Sequence, residues 1–130
     1  MSLQAYSVAK DGMKYISKNF RVREFRCQDG SDPVFIDDNL VAILQQIRDH
    51  FGKAVTITSA YRTASHNKKV GGATYSQHLY GTAADIKVSG VAASAVADYA
   101  DALLATSGGV GRYSTWTHVD VREVKARWNG

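Results

Sequence analysis

Apolar side chains recur along this chain at two periods, and each period marks a different kind of element. Between Asp37 and Phe51, the residues Leu40, Ile43, Leu44, Ile47 and Phe51 return at helical spacing and form one apolar face. Asp37 or Asp38 is placed to cap that helix at its start, and Gly52 sits where a C-terminal glycine belongs. A second helix is predicted over 92–104, broken by Gly108-Gly109, and a brief one over 64–70, stopped by Gly71-Gly72. Strands are predicted where β-formers or a period of two take over. These are 54–60, then 81–88 with Ala84, Ile86 and Val88 on one face, then 110–113 and 117–122 as the arms of a hairpin around Ser114-Thr115. Segment 19–25 alternates apolar and charged residues and reads as a short strand or extended arm, followed by a turn-rich stretch from Gln28 to Pro33. Helices interspersed with short strands and tight turns argue for an α+β fold with a small antiparallel sheet. No linker divides the 130 residues, so one domain is expected, with residues 1–32 as an N-terminal arm and the core at about 35–122.

Composition narrows the partners. Sixteen basic residues against twelve acidic ones leave a net charge of +4, which would suit a polyanion. The basic residues are scattered, with only Lys68 and Lys69 adjacent, so no nucleic-acid partner is expected. No apolar run is long enough to span a membrane, and no membrane insertion is expected. The single cysteine, Cys27, excludes an internal disulfide and a multi-thiolate zinc site, and it reads as a buried, inert thiol.

The candidate chemistry lies in two histidines and two aspartates. His78 stands in Ser76-Gln77-His78-Leu79-Tyr80-Gly81, and Asp85 follows seven residues later among small neighbours. A histidine and an aspartate separated by a glycine turn can converge on one ion, and Zn²⁺ accepts imidazole nitrogen and carboxylate oxygen. A catalytic zinc needs a third protein ligand, for which His118 in Trp116-Thr117-His118-Val119-Asp120-Val121 is the candidate. On an alternating strand His118 and Asp120 share a face, while Val119 and Val121 turn to the core. Spacing alone leaves a second reading open, in which His118 is a packed or surface histidine. His50, in the polar end of the first long helix, is given no role.

Taken together, Ser59-Ala60-Tyr61-Arg62-Thr63, Ser76-Gln77-His78, Gly81-Thr82-Ala83-Ala84-Asp85 and Thr117-His118-Val119-Asp120 resemble the zinc D-alanyl-D-alanine carboxypeptidase family. That family includes D,D-carboxypeptidases of the vancomycin-resistance type, D,D-dipeptidases and phage endolysins, and its fold is shared with the Hedgehog signalling domain. The shared order is an arginine, then S-x-H-x6-D, then a late histidine, and the resemblance covers about residues 35–122. It implies zinc held by His78, Asp85 and His118, and Arg62 beside the metal, where a guanidinium can polarise the scissile carbonyl or bind a substrate carboxylate. A structural salt bridge is the other reading of Arg62. Ser76 matches a position that contacts substrate, with a turn cap as its other reading. Many members carry an acid three residues before the last histidine as general base, but here that position is Thr115. Asp120 is then the first choice for the base, and a hydrogen-bond acceptor for a ligand histidine is its second reading. Tyr113 can reach the site from the opposing strand or simply pack.

The resemblance implies a zinc metallopeptidase that cleaves bonds involving D-amino acids in peptidoglycan stem peptides and acts as a monomer on the cell wall. The alternative is a catalytically inactive zinc module of the same fold that binds the wall or a partner. Residues 1–10 lack the basic-then-apolar pattern of a signal peptide, so release by a phage or prophage, or export by another route, is expected.

Overall fold

The computed structural model describes residues 2–130. Two long helices do form where the helical period runs. Helix α2 (Asp38–Phe51) starts at Asp37, whose carboxylate accepts from the Asn39 amide at 2.8 Å, and ends at Gly52 in the left-handed region, φ 62°. Its Leu40, Leu44 and Ile47 are fully buried, each worth roughly 1.5–3 kcal/mol of apolar transfer. Helix α4 (Ala93–Leu104) buries Val96, Ala97 and Ala100, small residues that let it lie close to the sheet. Short helices α1 (Val8–Asp11) and α3 (Ala64–Lys69) complete the set, with single 3₁₀ turns at Val22–Phe25 and Gln77–Tyr80.

Strand β1 (Leu3–Ser7) pairs antiparallel with β2 (Pro33–Asp37). The main sheet holds β3 (Val55–Ser59), β4 (Ala83–Val88), β5 (Gly109–Arg112), β6 (Thr117–Asp120) and β7 (Ala126–Asn129), in the order β3-β4-β6-β5-β7. Neighbours are antiparallel except β5 and β7, which run parallel. One face carries Ala84, Ile86, Val88, Val110 and Val119 into the core shared with α2 and α4.

Three expectations need correction. Segment 19–25 is no strand: Glu24 Oε2 accepts from the Arg21 amide at 2.6 Å, and the chain curls into the 3₁₀ turn with Phe20, Val22 and Phe25 all buried. Within the expected arm of residues 1–32, the described residues 2–32 are not appended, because those three side chains belong to the same core as α2 and the sheet, and β1 closes the β2 edge. The boundary at 122 also falls short, since β7 completes the main sheet and was missed, as was β2. The antiparallel expectation holds for every pairing but β5 with β7.

Candidate metal centre

On the face of the sheet opposite the core, the register lines up one row of positions across all five strands. Ser59 on β3 pairs with Asp85 on β4, Asp85 with His118 on β6, His118 with Gly111 on β5, and Gly111 with Trp128 on β7. Antiparallel partners stand close enough for their side chains to meet, so the pairing itself sets Asp85 against His118. His118 Nδ1 lies 3.0 Å from Asp85 Oδ1. His78 enters from the Gln77–Tyr80 turn, which Ser76 caps by accepting from the His78 amide at 3.2 Å. Gly81 ends that turn at φ +71°, packed so closely on the Phe35 carbonyl that a Cβ would collide with it. The chain then reverses directly into β4, which brings His78 Nε2 to 3.3 Å from the same Asp85 oxygen.

The second nitrogen of each ring has its own acceptor. His78 Nδ1 is 2.7 Å from the Ala60 carbonyl oxygen, which can only accept, so Nδ1 carries the hydrogen and Nε2 presents its lone pair. His118 Nε2 is 2.7 Å from Asp120 Oδ2, which assigns the hydrogen to Nε2 and leaves Nδ1 facing Asp85. His78 Nε2, Asp85 Oδ1 and His118 Nδ1 therefore converge, all within 4.8 Å of one another. In a tetrahedral zinc site with ligands near 2.0–2.1 Å, donor atoms stand about 3.3 Å apart, so the two distances to Asp85 fit such an ion with little movement. Two imidazoles and one carboxylate, each imidazole fixed by an outer acceptor, match zinc chemistry as well.

The same contacts set the charges of the metal-free cluster. Burial opposes the charge on Asp85, yet in the metal-free protein its contacts with the His118 and His78 rings hold its carboxyl well below the usual carboxylate range. Burial likewise disfavours a charged ring at His118, but bonds to Asp120 and Asp85 prevail and raise its pKa. Asp120 is buried too, and bonds from His118 and Arg122 keep it ionised. Arg122 grips Asp120 through Nε to Oδ1 at 2.8 Å and Nη2 to Oδ2 at 2.7 Å, while its amide reaches Oδ1 at 3.2 Å.

A profile of the family described as Peptidase M15 matches residues 16–120. The chain belongs to the Peptidase M15 family. Its members are zinc metallopeptidases acting on peptidoglycan, so a convergent His-Asp-His set is at home in this M15 peptidase. No curated protein matches the chain.

The three donors of the M15 peptidase stand in an open cleft of about 440 Å³, whose lining also includes Arg62, Ser76 and Tyr113. Arg62 Nη2 lies 3.6 Å from Asp85 Oδ2, with Nε bonded to Ser59 Oγ and Nη1 to Asn67 Oδ1. Tyr113 stacks on Trp116 at 4.4 Å and accepts from Trp128 Nε1 at 3.0 Å. Asp120 is absent from that lining, and its side chain is 0% exposed. Thr115 is exposed in the β5–β6 turn. The sequence reading missed Trp128, tilted against the His118 ring at 4.9 Å, and Arg122. The only signal for either was an aromatic and a basic residue near the C-terminal end, which many surface segments share. His50 stacks on Tyr99 at 3.8 Å, far from this chemistry in role.

Proposed function

We propose that the chain is a zinc-dependent peptidase that hydrolyses peptide bonds involving D-amino acids in peptidoglycan stem peptides, as a D,D-carboxypeptidase or an endolysin-type endopeptidase. One observation carries the reading: His78 Nε2, Asp85 Oδ1 and His118 Nδ1 converge in an open cleft. Zinc, when bound there, supplies a Lewis acid and lowers the pKa of water toward about 7.

The remaining work falls to the chain's own groups. Asp85 Oδ1 stands 3.0 Å from His118 Nδ1 and 3.3 Å from His78 Nε2, so one carboxylate oxygen can share an ion with both rings. Arg62 stands over the other oxygen of Asp85, with its fork fixed by Ser59 and Asn67, and can take up the charge that develops on the scissile carbonyl or hold a substrate carboxylate. Ser76 and Tyr113 border the cleft where a stem peptide would lie. For Asp120 the geometry supports the second of its two readings. Both its oxygens are engaged by Arg122 and His118, and it meets the His118 ring at the edge turned away from Asp85. Asp120 thus positions His118 rather than receiving a proton in the cleft. The substrate is the stem peptide, the site of action is the wall, and the chain works as a monomer.

One observation favours the alternative of a wall-binding module without turnover: Asp85 is the sole carboxylate among the described residues lining the cleft. The two readings separate on defined muropeptides incubated with the protein, with and without added zinc, and followed by mass spectrometry. The expected result is zinc-dependent loss of a terminal D-residue or scission within the stem. Intact muropeptides at saturating zinc, together with retained binding, would establish the binding module instead.

A further inference from the structure

A second group of metal-type donors stands outside the cleft. Cys27 and Asp29 lie in the loop after the Val22–Phe25 turn, and His66 lies in α3. One donor atom from each, a sulfur, a carboxylate oxygen and a ring nitrogen, falls within 4.8 Å of the other two. Thr63 organises all three. Its amide donates to Cys27 Sγ at 3.4 Å, its hydroxyl donates to Asp29 Oδ2 at 2.8 Å, and the same hydroxyl caps the His66 amide at 3.2 Å. Cys27 is buried, whereas Asp29 is exposed and His66 half-buried at the edge of a hollow of about 370 Å³ that also includes Lys69. The sulfur lies beneath the hollow, outside its lining, and Asp29 is already held in place by the Ser31 amide at 2.9 Å and the Thr63 hydroxyl, so closure on an ion falls mainly to the half-buried His66, while exposed Lys69 can turn its flexible chain away.

We propose that Cys27, Asp29 and His66 form a second metal site, for a borderline-soft divalent cation of the zinc class. Thiolate with imidazole selects such an ion over magnesium or calcium, which prefer all-oxygen shells. Closure draws the donors in from at most 4.8 Å to the spacing of a tetrahedral shell, with water in the fourth position. Binding forms a metal–sulfur bond and releases the thiol proton to solvent, with no change of oxidation state. The ion would clamp the loop that follows Phe25 onto α3. That helix carries Asn67, which holds Arg62 in the cleft, so the clamp bears on the position of Arg62 from outside the catalytic face.

Cobalt titration of the metal-stripped protein separates this site from the His78, Asp85, His118 set, which contains no sulfur. Two equivalents of Co²⁺ should bind per chain, one of them with a near-ultraviolet sulfur-to-cobalt charge-transfer band. Cys27→Ser should abolish the band and one equivalent, whereas His118→Ala should leave the band intact. Should Cys27→Ser fail to fold, the surface changes His66→Gln and Asp29→Asn decide, each expected to weaken the sulfur-ligated equivalent at least tenfold. A saturated protein without the band, or a band of unchanged affinity in both surface variants, would overturn the proposal.

Discussion

His118 is a ring between two carboxylates, and what each one does follows from which nitrogen it meets. Asp85 faces Nδ1, the side shared with His78, and Asp120 faces Nε2, the far side. A ligand histidine held by a buried carboxylate is more basic and turns less freely, and loss of such a partner typically weakens metal binding ten- to a hundredfold. Asp120→Asn should therefore bind zinc about ten- to a hundredfold more weakly, measured by competition with a chelator of known affinity. Muropeptide turnover should return when zinc is raised to saturation. A variant that binds zinc normally and yet stays inactive would make Asp120 the proton acceptor after all.

At the scale of elements, the centre depends on strands whose backbones stand unusually open on one face. Gly109 and Gly111 on β5 leave room where a side chain would otherwise project from the sheet. A Cβ at Gly109 would fall on the Asp120 carboxylate, and one at Gly111 would come within 2.6 Å of the Trp128 indole. Both positions have φ outside the left-handed region, so the glycines serve space and not conformation. Gly109→Ala should push Asp120 off His118 while β5 keeps its pairing. The expected result is a cooperative fold by circular dichroism and a loss of zinc affinity comparable to that of Asp120→Asn. Zinc affinity equal to that of the unaltered protein would show that β5 tolerates the methyl group and that its openness has no part in the site.

Across the whole molecule, the proposed metal assignment makes zinc and the proton competitors for the same buried cluster. In the metal-free protein the pKa of His118 is raised, so its ionic bonds contribute fully below the unfolded histidine value of about 6.5 and are lost as pH rises through the folded value. Asp85 and Asp120 are lowered, so their contributions are present above about pH 4 and fade only as pH falls toward their folded values. The cluster thus holds the metal-free fold best between roughly pH 4 and 6.5. If His118 is a ligand as proposed, zinc must displace its proton, and a ligand at a hundredfold excess over its dissociation constant adds about 2.7 kcal/mol of stability. The zinc-induced rise in melting temperature should accordingly be larger at pH 8 than at pH 6. Equal increments at the two pH values would mean that zinc and the His118 proton do not compete.

Local pattern was enough for the two long helices, with Asp37 and Gly52 as their most legible ends, and for four of the strands, because caps, turns and periodicity are decided within a few residues. The candidate donors were legible as residue types: two histidines, an aspartate and an arginine in an order that resembles a known family. Packing decided the rest. Alternation in 19–25 could not reveal that Phe20, Val22 and Phe25 all turn to one core, since burial depends on what arrives from elsewhere in the chain. Nor could β7 be read from Ala126–Asn129, a short segment whose partner is the distant β5. The alternation of β6 put His118 and Asp120 on one face, but it took the register of β4 against β6 to set Asp85 opposite His118, and the Arg122 grip to turn Asp120 toward the outer edge of the ring. Sequence determined which groups were available for chemistry. Long-range strand pairing, a non-local choice of register, determined which of their atoms meet.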